Sequence, residues 1–308
     1  IEKVAVPIGV IGIVYESRPN VTADAAGLCM KSGNAALLRG GSEAINSNLA
    51  LAEALRGACE TAGLPAGCVS IIETTDREAV QVMCRLPEYL DLMVPRGGEG
   101  LIRTVTENSQ VAVLKHYRGM TQIYVDEGAD VDLAVRLVHN AKVQRPGVCN
   151  AVENLYVHSG AEDALRAIVA DLLAAGVEVR GCSRTVELVE GVVPATAEDF
   201  DTEYLDLTLS VMIVDSLDGA LERIAEHTSG LTEAIITSNQ ANADRFLREV
   251  DSAAVYHNAS TRLTDGGVFG LGAEIGVSTD KIHARGPVGA RELTIYKYVC
   301  RGDGQIRT

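Results

Sequence analysis

The sequence predicts an α/β protein, on three observations. Apolar runs with strand character alternate with amphipathic helical stretches almost from one end to the other. The strand runs are near-continuous in Val, Ile and Leu, as parallel strands covered on both faces are, rather than alternating with polar residues. Glycine pairs follow two of them, at Gly40-Gly41 and Gly97-Gly98, where backbone amides can approach a ligand at a strand's carboxyl end. A chain of 308 residues suits two domains of roughly 150 residues. Its 47% hydrophobic content is enough for sizeable cores and argues against disorder.

Taken in order, Val4 to Tyr15 reads as a strand, Ala23 to Lys31 as a helix stopped by Gly33, and Ala35 to Arg39 as a second strand. Ser42 is placed to cap the helix that runs to Ala62 and stops at Gly63. A strand at Cys68 to Ile72, a helix near Arg77 to Arg85 and a strand at Leu90 to Val94 continue the alternation. After Val111 to Leu114 a second block opens with a strand at Gln122 to Val125 and a helix from Asp132 to Gln144, ended by Pro146-Gly147. It continues with Leu155 to Val157, a helix from Ala161 to Ala175, a strand at Leu209 to Val214 and a helix from Leu217 to His227. Glu233 to Thr237, a helix from Ala241 to Val250 and Ala253 to Asn258 complete it. The tail is glycine-rich from Gly266 to Gly289 and ends in an alternating strand, Glu292 to Val299, with little helix to cover it. Such a strand needs a partner edge, which another subunit could supply.

With 27 Lys+Arg against 42 Asp+Glu the net charge is −15, which repels nucleic-acid backbones and anionic lipid. Any anionic substrate must then be gathered by a few well-placed cations. The longest apolar run, Ile8 to Tyr15, is far short of the roughly 20 residues that span a bilayer, and no targeting signal opens the chain, so a cytoplasmic protein is expected. The chain starts at Ile1, without Met and inside a strand, so a preceding segment is expected.

Seven cysteines without a C-x-x-C pair suggest neither a disulfide framework nor a metal site. One of them, Cys149, lies past the Pro146-Gly147 break with Lys142 and Arg145 close by in sequence. Cations and backbone amides activate a thiol, so Cys149 is the candidate nucleophile, although a buried core thiol is an equal reading on spacing alone. None of the six histidines is spaced to serve it as a base, which disfavours a protease-like pair. A cysteine that attacks an already activated acyl group needs no strong base. The turns Arg39-Gly40-Gly41-Ser42 and Pro95-Arg96-Gly97-Gly98 lack the G-x-G-x-x-G spacing, and on pattern alone an ordinary turn is the simpler reading. The arginine in each is what a phosphate would need.

These motifs together resemble a family. Pro7-Ile8-Gly9-Val10-Ile11-Gly12 with Glu16-Ser17-Arg18-Pro19-Asn20, Leu38 to Ser42, Val94 to Gly98 and Gln144 to Asn150 are similar to gamma-glutamyl phosphate reductases, a branch of the aldehyde dehydrogenase superfamily. Val250 to Val255, Asn258 to Arg262, Phe269 to Thr279 and His283 to Pro287 continue the likeness across essentially the whole chain. The resemblance implies a Rossmann-type NADPH domain over 1–120, a catalytic α/β domain over 121–262 and a glycine-rich oligomerisation segment over 263–308. It implies NADPH-dependent reduction of L-glutamyl 5-phosphate to L-glutamate 5-semialdehyde, with Cys149 as nucleophile, and Asn20 with the Cys149 amide as oxyanion donors.

By the same resemblance, Arg39, Gly40, Gly41 and Ser42 bind the cofactor, with Arg39 on the 2′-phosphate of the adenosine ribose, and Arg96, Gly97 and Gly98 form a cofactor loop. Arg145 and Asn150 are expected on the substrate or its phosphate. The implied partners are glutamate 5-kinase and a second copy of the chain. Two alternatives stay open: the reductase half of a bifunctional pyrroline-5-carboxylate synthase, and a non-catalytic fragment or assembly subunit. The chain departs from the family's usual pattern at Leu231, where a histidine is common, and at Thr121-Gln122, where Cys-His is common.

Overall fold

The computed structural model describes residues 1–16 and 18–308, which cluster into two compact units. The first comprises Ile1–Tyr117 and Gly266–Thr308, the second Arg118–Asp265. Of residues 263–308, set apart by the sequence reading as a third segment, 266–308 are part of the first unit and 263–265 of the second.

The run read as one strand from Val4 to Tyr15 is two: β1 (Glu2–Pro7) and β2 (Val10–Tyr15). The break is at Gly9, whose φ of +140° suits glycine. A Cβ there would overlap the Asp91 carboxylate, which accepts the Val10 amide at 2.8 Å. β2 is the start of the sheet β4-β3-β2-β5, all parallel. Its elements follow the alternation: α1 (Asn20–Lys31), β3 (Ala35–Gly40), α2 (Ile45–Thr61), β4 (Val69–Ile71), α3 (Glu78–Met83) and β5 (Leu92–Arg96). Gly33 ends α1 with φ +80°, and the Asn34 amide bonds back to the Cys29 carbonyl at 2.8 Å. Ser42 is exposed and caps nothing; a short 3-10 turn, Ser42–Ala44, leads into α2 instead. A helix that the sequence reading passed over, α4 (Glu99–Asn108), starts from Gly98 and buries Ile102 and Val105.

The second unit is a parallel sheet in the order β12-β11-β6-β7-β10-β8-β9. Its chain order is β6 (Thr121–Val125), α5 (Val131–Val143), β7 (Val152–His158), α6 (Glu162–Ala174), β8 (Glu178–Gly181), α7 (Ser183–Leu188), β9 (Val193–Pro194), β10 (Thr208–Val214), α8 (Leu217–His227), β11 (Thr232–Ile236), α9 (Gln240–Glu249) and β12 (Ala254–His257). β6 and β11 are buried at every residue, the polar Thr121, Gln122, Thr232 and Glu233 at their starts included. Asp130, Ser216 and Asn239 cap α5, α8 and α9 through their side chains. Buried Asp126, just past β6, accepts bonds from Tyr124, Thr237 and Asn242 at 2.7 to 2.9 Å. Those hydrogen bonds outweigh burial and hold its carboxyl below the usual range.

The tail returns to the first unit with β13 (Val277–Ser278), β14 (Gly286–Pro287) and β15 (Thr294–Val299). β15 finds its partner within the chain: it pairs antiparallel with β1, from Glu2 opposite Val299 to Pro7 opposite Thr294. The expected need for another subunit's edge is therefore met by β1. No helix among the described residues is long and apolar enough to cross a membrane.

Candidate active site

In the second unit, α5 runs out at Gln144 and the chain turns through residues 145–151 before entering β7. Cys149 is half-buried in that turn. Its carbonyl accepts the Thr121 hydroxyl at 2.9 Å, and Gly119 lies so close that a Cβ there would stand 2.5 Å from the Cys149 Cα and Cβ. Only a residue without a side chain leaves room for the cysteine at that point. Asn150, 6% exposed, is engaged at both ends of its amide: Nδ2 donates to the Thr264 carbonyl at 2.8 Å, and Oδ1 accepts from Arg262.

Arg262 is the residue that sequence reasoning missed here. Its Nε donates to Gln144 Oε1 at 2.9 Å while Nη1 reaches Asn150, so one guanidinium ties together both ends of the cysteine turn. Burial, then Arg145, push Arg262 below the ordinary arginine range, while Cys149 and Asp265 act in the opposite sense. Arg262 is therefore in the electrostatic range of the thiol. The sequence reading counted Lys142 among the thiol's cations, but its ammonium is committed elsewhere. It forms a 2.6 Å pair with Glu153, both side chains 0% exposed. Arg145 is exposed. Leu231, Thr121 and Gln122, noted as departures, are all fully buried, and Gln122 bonds the Tyr156 hydroxyl and the Ile224 carbonyl.

The other sequence-predicted residues belong to the first unit. Asn20 opens α1, exposed, with its amide on Asp24 at 3.0 Å. Arg39, at the end of β3, is 8% exposed, and its Nη2 donates to the carbonyls of Thr75 and Asp76 at 2.8 and 3.1 Å. It borders a cavity of about 400 Å³ together with Tyr15, Glu16, Arg77, Glu78 and Gly100. Gly40 makes room for the Asn48 side chain, which a Cβ would overlap, and Gly41 precedes the 3-10 turn. Gly97 makes room for the Glu16 carboxylate, which accepts the Gly98 amide at 2.9 Å at the start of α4. Arg96 lies against Gly276, where a Cβ would overlap its guanidinium.

Arg96 also acts on a histidine. Burial first, then Arg96, push His116 down to about 4, with Arg18 adding to the effect and the Val277 backbone and Asp280 opposing it. The folded chain refuses a proton that the unfolded chain takes up near pH 6.5. Stability from this group is complete above that value and lost as the pH falls towards 4. Urea midpoints at pH 7 and pH 5 should therefore fall more steeply in the parent than in His116→Gln; equal slopes would refute the assignment.

With this geometry in place, residues 2–180 match the model of the aldehyde dehydrogenase family. The chain is 58% identical over its whole length to the gamma-glutamyl phosphate reductase of Caldanaerobacter subterraneus subsp. tengcongensis, covering 74% of that protein. It is 56% identical to that of Clostridium acetobutylicum, with the same coverage. The crystal structure of gamma-glutamyl phosphate reductase from Thermotoga maritima superposes on 99% of the chain and 74% of its own, with a TM-score of 0.97 at 54% identity. An acetylating aldehyde dehydrogenase from Geobacillus thermoglucosidasius shares the fold, with a TM-score of 0.77 at 18% identity. An α/β chain with a cysteine turn braced in this way, matched from end to end by such relatives, belongs to the gamma-glutamyl phosphate reductase family of the aldehyde dehydrogenases.

Proposed function

We propose that the protein reduces L-glutamyl 5-phosphate to L-glutamate 5-semialdehyde with NADPH and releases phosphate. The observation that carries the reading is the half-buried Cys149 on a turn braced by Gly119, Thr121, Asn150 and Arg262. The Cys149 thiolate adds to the acyl-phosphate carbonyl, the carbon–oxygen bond to phosphate breaks, and a thioester remains. Phosphate is a good leaving group, so no histidine base is required at this step. NADPH, when bound, supplies the hydride that converts the thioester to a thiohemiacetal, and return of the electrons to sulfur releases the aldehyde and the thiolate. Asn20 and the Cys149 amide are assigned to the oxyanion, where one such donor is worth roughly 2.7 to 4 kcal/mol in other enzymes.

The first unit's residues fit the cofactor's adenosine end. The cavity lies past the carboxyl ends of β2 and β3, where open parallel sheets take such ligands, and the buried Arg39 Nε–H has no acceptor among the described residues. Arg39 to Ser42 and Arg96 to Gly98 are assigned to this side of the site. Glutamate 5-kinase chemistry supplies the acyl phosphate, and the exposed β1–β15 ribbon, with Tyr296 and Tyr298 outward, is the edge assigned to a homodimer or higher oligomer in the cytoplasm.

The test is oxidation of glutamate 5-semialdehyde with NADP, followed by NADPH absorbance, with and without phosphate. Turnover that needs phosphate is expected. Equal rates without phosphate would indicate a hydrolytic aldehyde dehydrogenase, and no turnover in either case would overturn the proposal.

A further inference from the structure

The cavity of the first unit carries a second arginine that no sequence pattern raised. Arg77 stands just ahead of α3, exposed on the cavity wall, and among the described residues its guanidinium has no hydrogen-bond or ion-pair partner. Elsewhere in this chain of net charge −15, Arg103, Arg180, Arg184, Arg223 and Arg245 hold carboxylates. Arg39, by contrast, is engaged through one end of its guanidinium, while its buried Nε has no partner among the described residues. Its Nη2 donates to two consecutive carbonyls, Thr75 and Asp76, immediately before Arg77. The same turn is tightened by the Asp76 amide on Thr74 Oγ1 at 3.2 Å and the Glu78 amide on Asp76 Oδ1 at 2.9 Å.

We infer that Arg77 is the residue that reads a 2′-phosphate on the adenosine ribose, and that Arg39 is a positioning residue that fixes the Thr75-Asp76 turn presenting it. The inference rests on the reading of this cavity as the cofactor's adenosine site. An exposed arginine side chain is screened by water; anchoring the backbone one residue away on a buried guanidinium reduces the freedom it loses on binding a phosphate. The acidic groups on the same wall are accounted for. Glu16 is taken by the Gly98 amide, while Glu78 faces the cavity beside Arg77. Glu78 favours a plain ribose hydroxyl and Arg77 a phosphate, so the positive charge of Arg39 behind them tips the site towards the phosphate.

The two roles separate by calorimetric titration of the whole chain with adenosine 2′,5′-bisphosphate and with 5′-AMP, neither of which depends on turnover. The parent should bind the bisphosphate more tightly. Arg77→Gln should weaken the bisphosphate by roughly tenfold to a hundredfold, the range of a charge-assisted contact, and leave 5′-AMP unchanged, with Arg77→Lys recovering most of the loss. Arg39→Gln should weaken both ligands together, because the turn itself is released. Unchanged bisphosphate binding in Arg77→Gln, or a loss confined to the bisphosphate in Arg39→Gln, would overturn the assignment and return the phosphate to Arg39. A parent that binds NADPH but neither fragment, or the two equally, would refute the 2′-phosphate role while sparing the reductase reading. A parent that binds none of the three would sink both.

Discussion

Cys149→Ser is expected to lower reductive turnover by about 10³-fold or more while the protein stays folded and binds nucleotide as before. The change replaces one small side chain by another in a turn whose tight contact, Gly119, is with backbone and Cβ, so packing is preserved. What is lost is the anion. A free cysteine is already a few per cent thiolate at neutral pH and intrinsically nucleophilic, whereas a serine hydroxyl needs a base that this turn does not supply. The competing thiol is Cys182. Burial raises it, but the Thr185 hydroxyl and backbone amides outweigh burial and bring it below its ordinary value. Alkylating reagents should therefore modify Cys182 as well, and labelling alone cannot identify the nucleophile. Steady-state rates of Cys149→Ser and Cys182→Ser, measured beside their melting temperatures, do so. A Cys149→Ser protein with a tenth of the parent rate, or an inactive Cys182→Ser protein of normal stability, would remove Cys149 from the mechanism.

How much of this site could be read before folding depends on the reach of each signal. The helix stops at Gly33 and Gly176 and the cysteine turn after Pro146 are local, and local chemistry decides them. The helix Glu99–Asn108 was also legible: Leu101, Ile102 and Val105 have helical spacing, but the glycines ahead of them drew attention to a ligand turn instead. The break at Gly9 was hidden because its cause, Asp91, is 81 residues away from the Val10 amide it accepts. Arg262 reaches Gln144 and Asn150 across 118 and 112 residues, and Arg39 reaches Thr75 and Asp76 across 36 and 37. Periodicity carries no information about such partners, so a lone cation in sequence can be either a ligand residue or a brace. Lys142 shows the error this invites. Its position seven residues before Cys149 suggested a charge for the thiol, and only the fold reveals that Glu153 takes it.

That pair should be the most sensitive polar element of the second unit. Lys142 is in the last turn of α5 and Glu153 near the start of β7, so their bond closes the two ends of the segment that carries Cys149. Burial pushes Glu153 up to about 7 and Lys142 down, each opposed by the other's charge, and the Leu205 amide gives Glu153 a further donor at 3.3 Å. Removing one member leaves the other charge buried and unmatched, which costs about 3 to 5 kcal/mol in comparable sites. Lys142→Met should show this by urea denaturation, and with a definite sign in pH. A carboxyl left alone in that site has its folded pKa raised further above its unfolded value. The folded state then binds a proton that the unfolded state releases, so the deficit is small below about pH 4.5 and grows as the pH rises. The double replacement Lys142→Met with Glu153→Leu removes both charges and should recover most of the stability, since a well-packed apolar pair is often neutral or better than a buried ion pair. It should not recover turnover to the same extent, because two flexible apolar side chains do not fix the separation of α5 and β7 as a 2.6 Å bond does. A double variant with both stability and rate restored would show that the pair merely fills space; a Lys142→Met deficit that is independent of pH would show that Glu153 is not the group left behind.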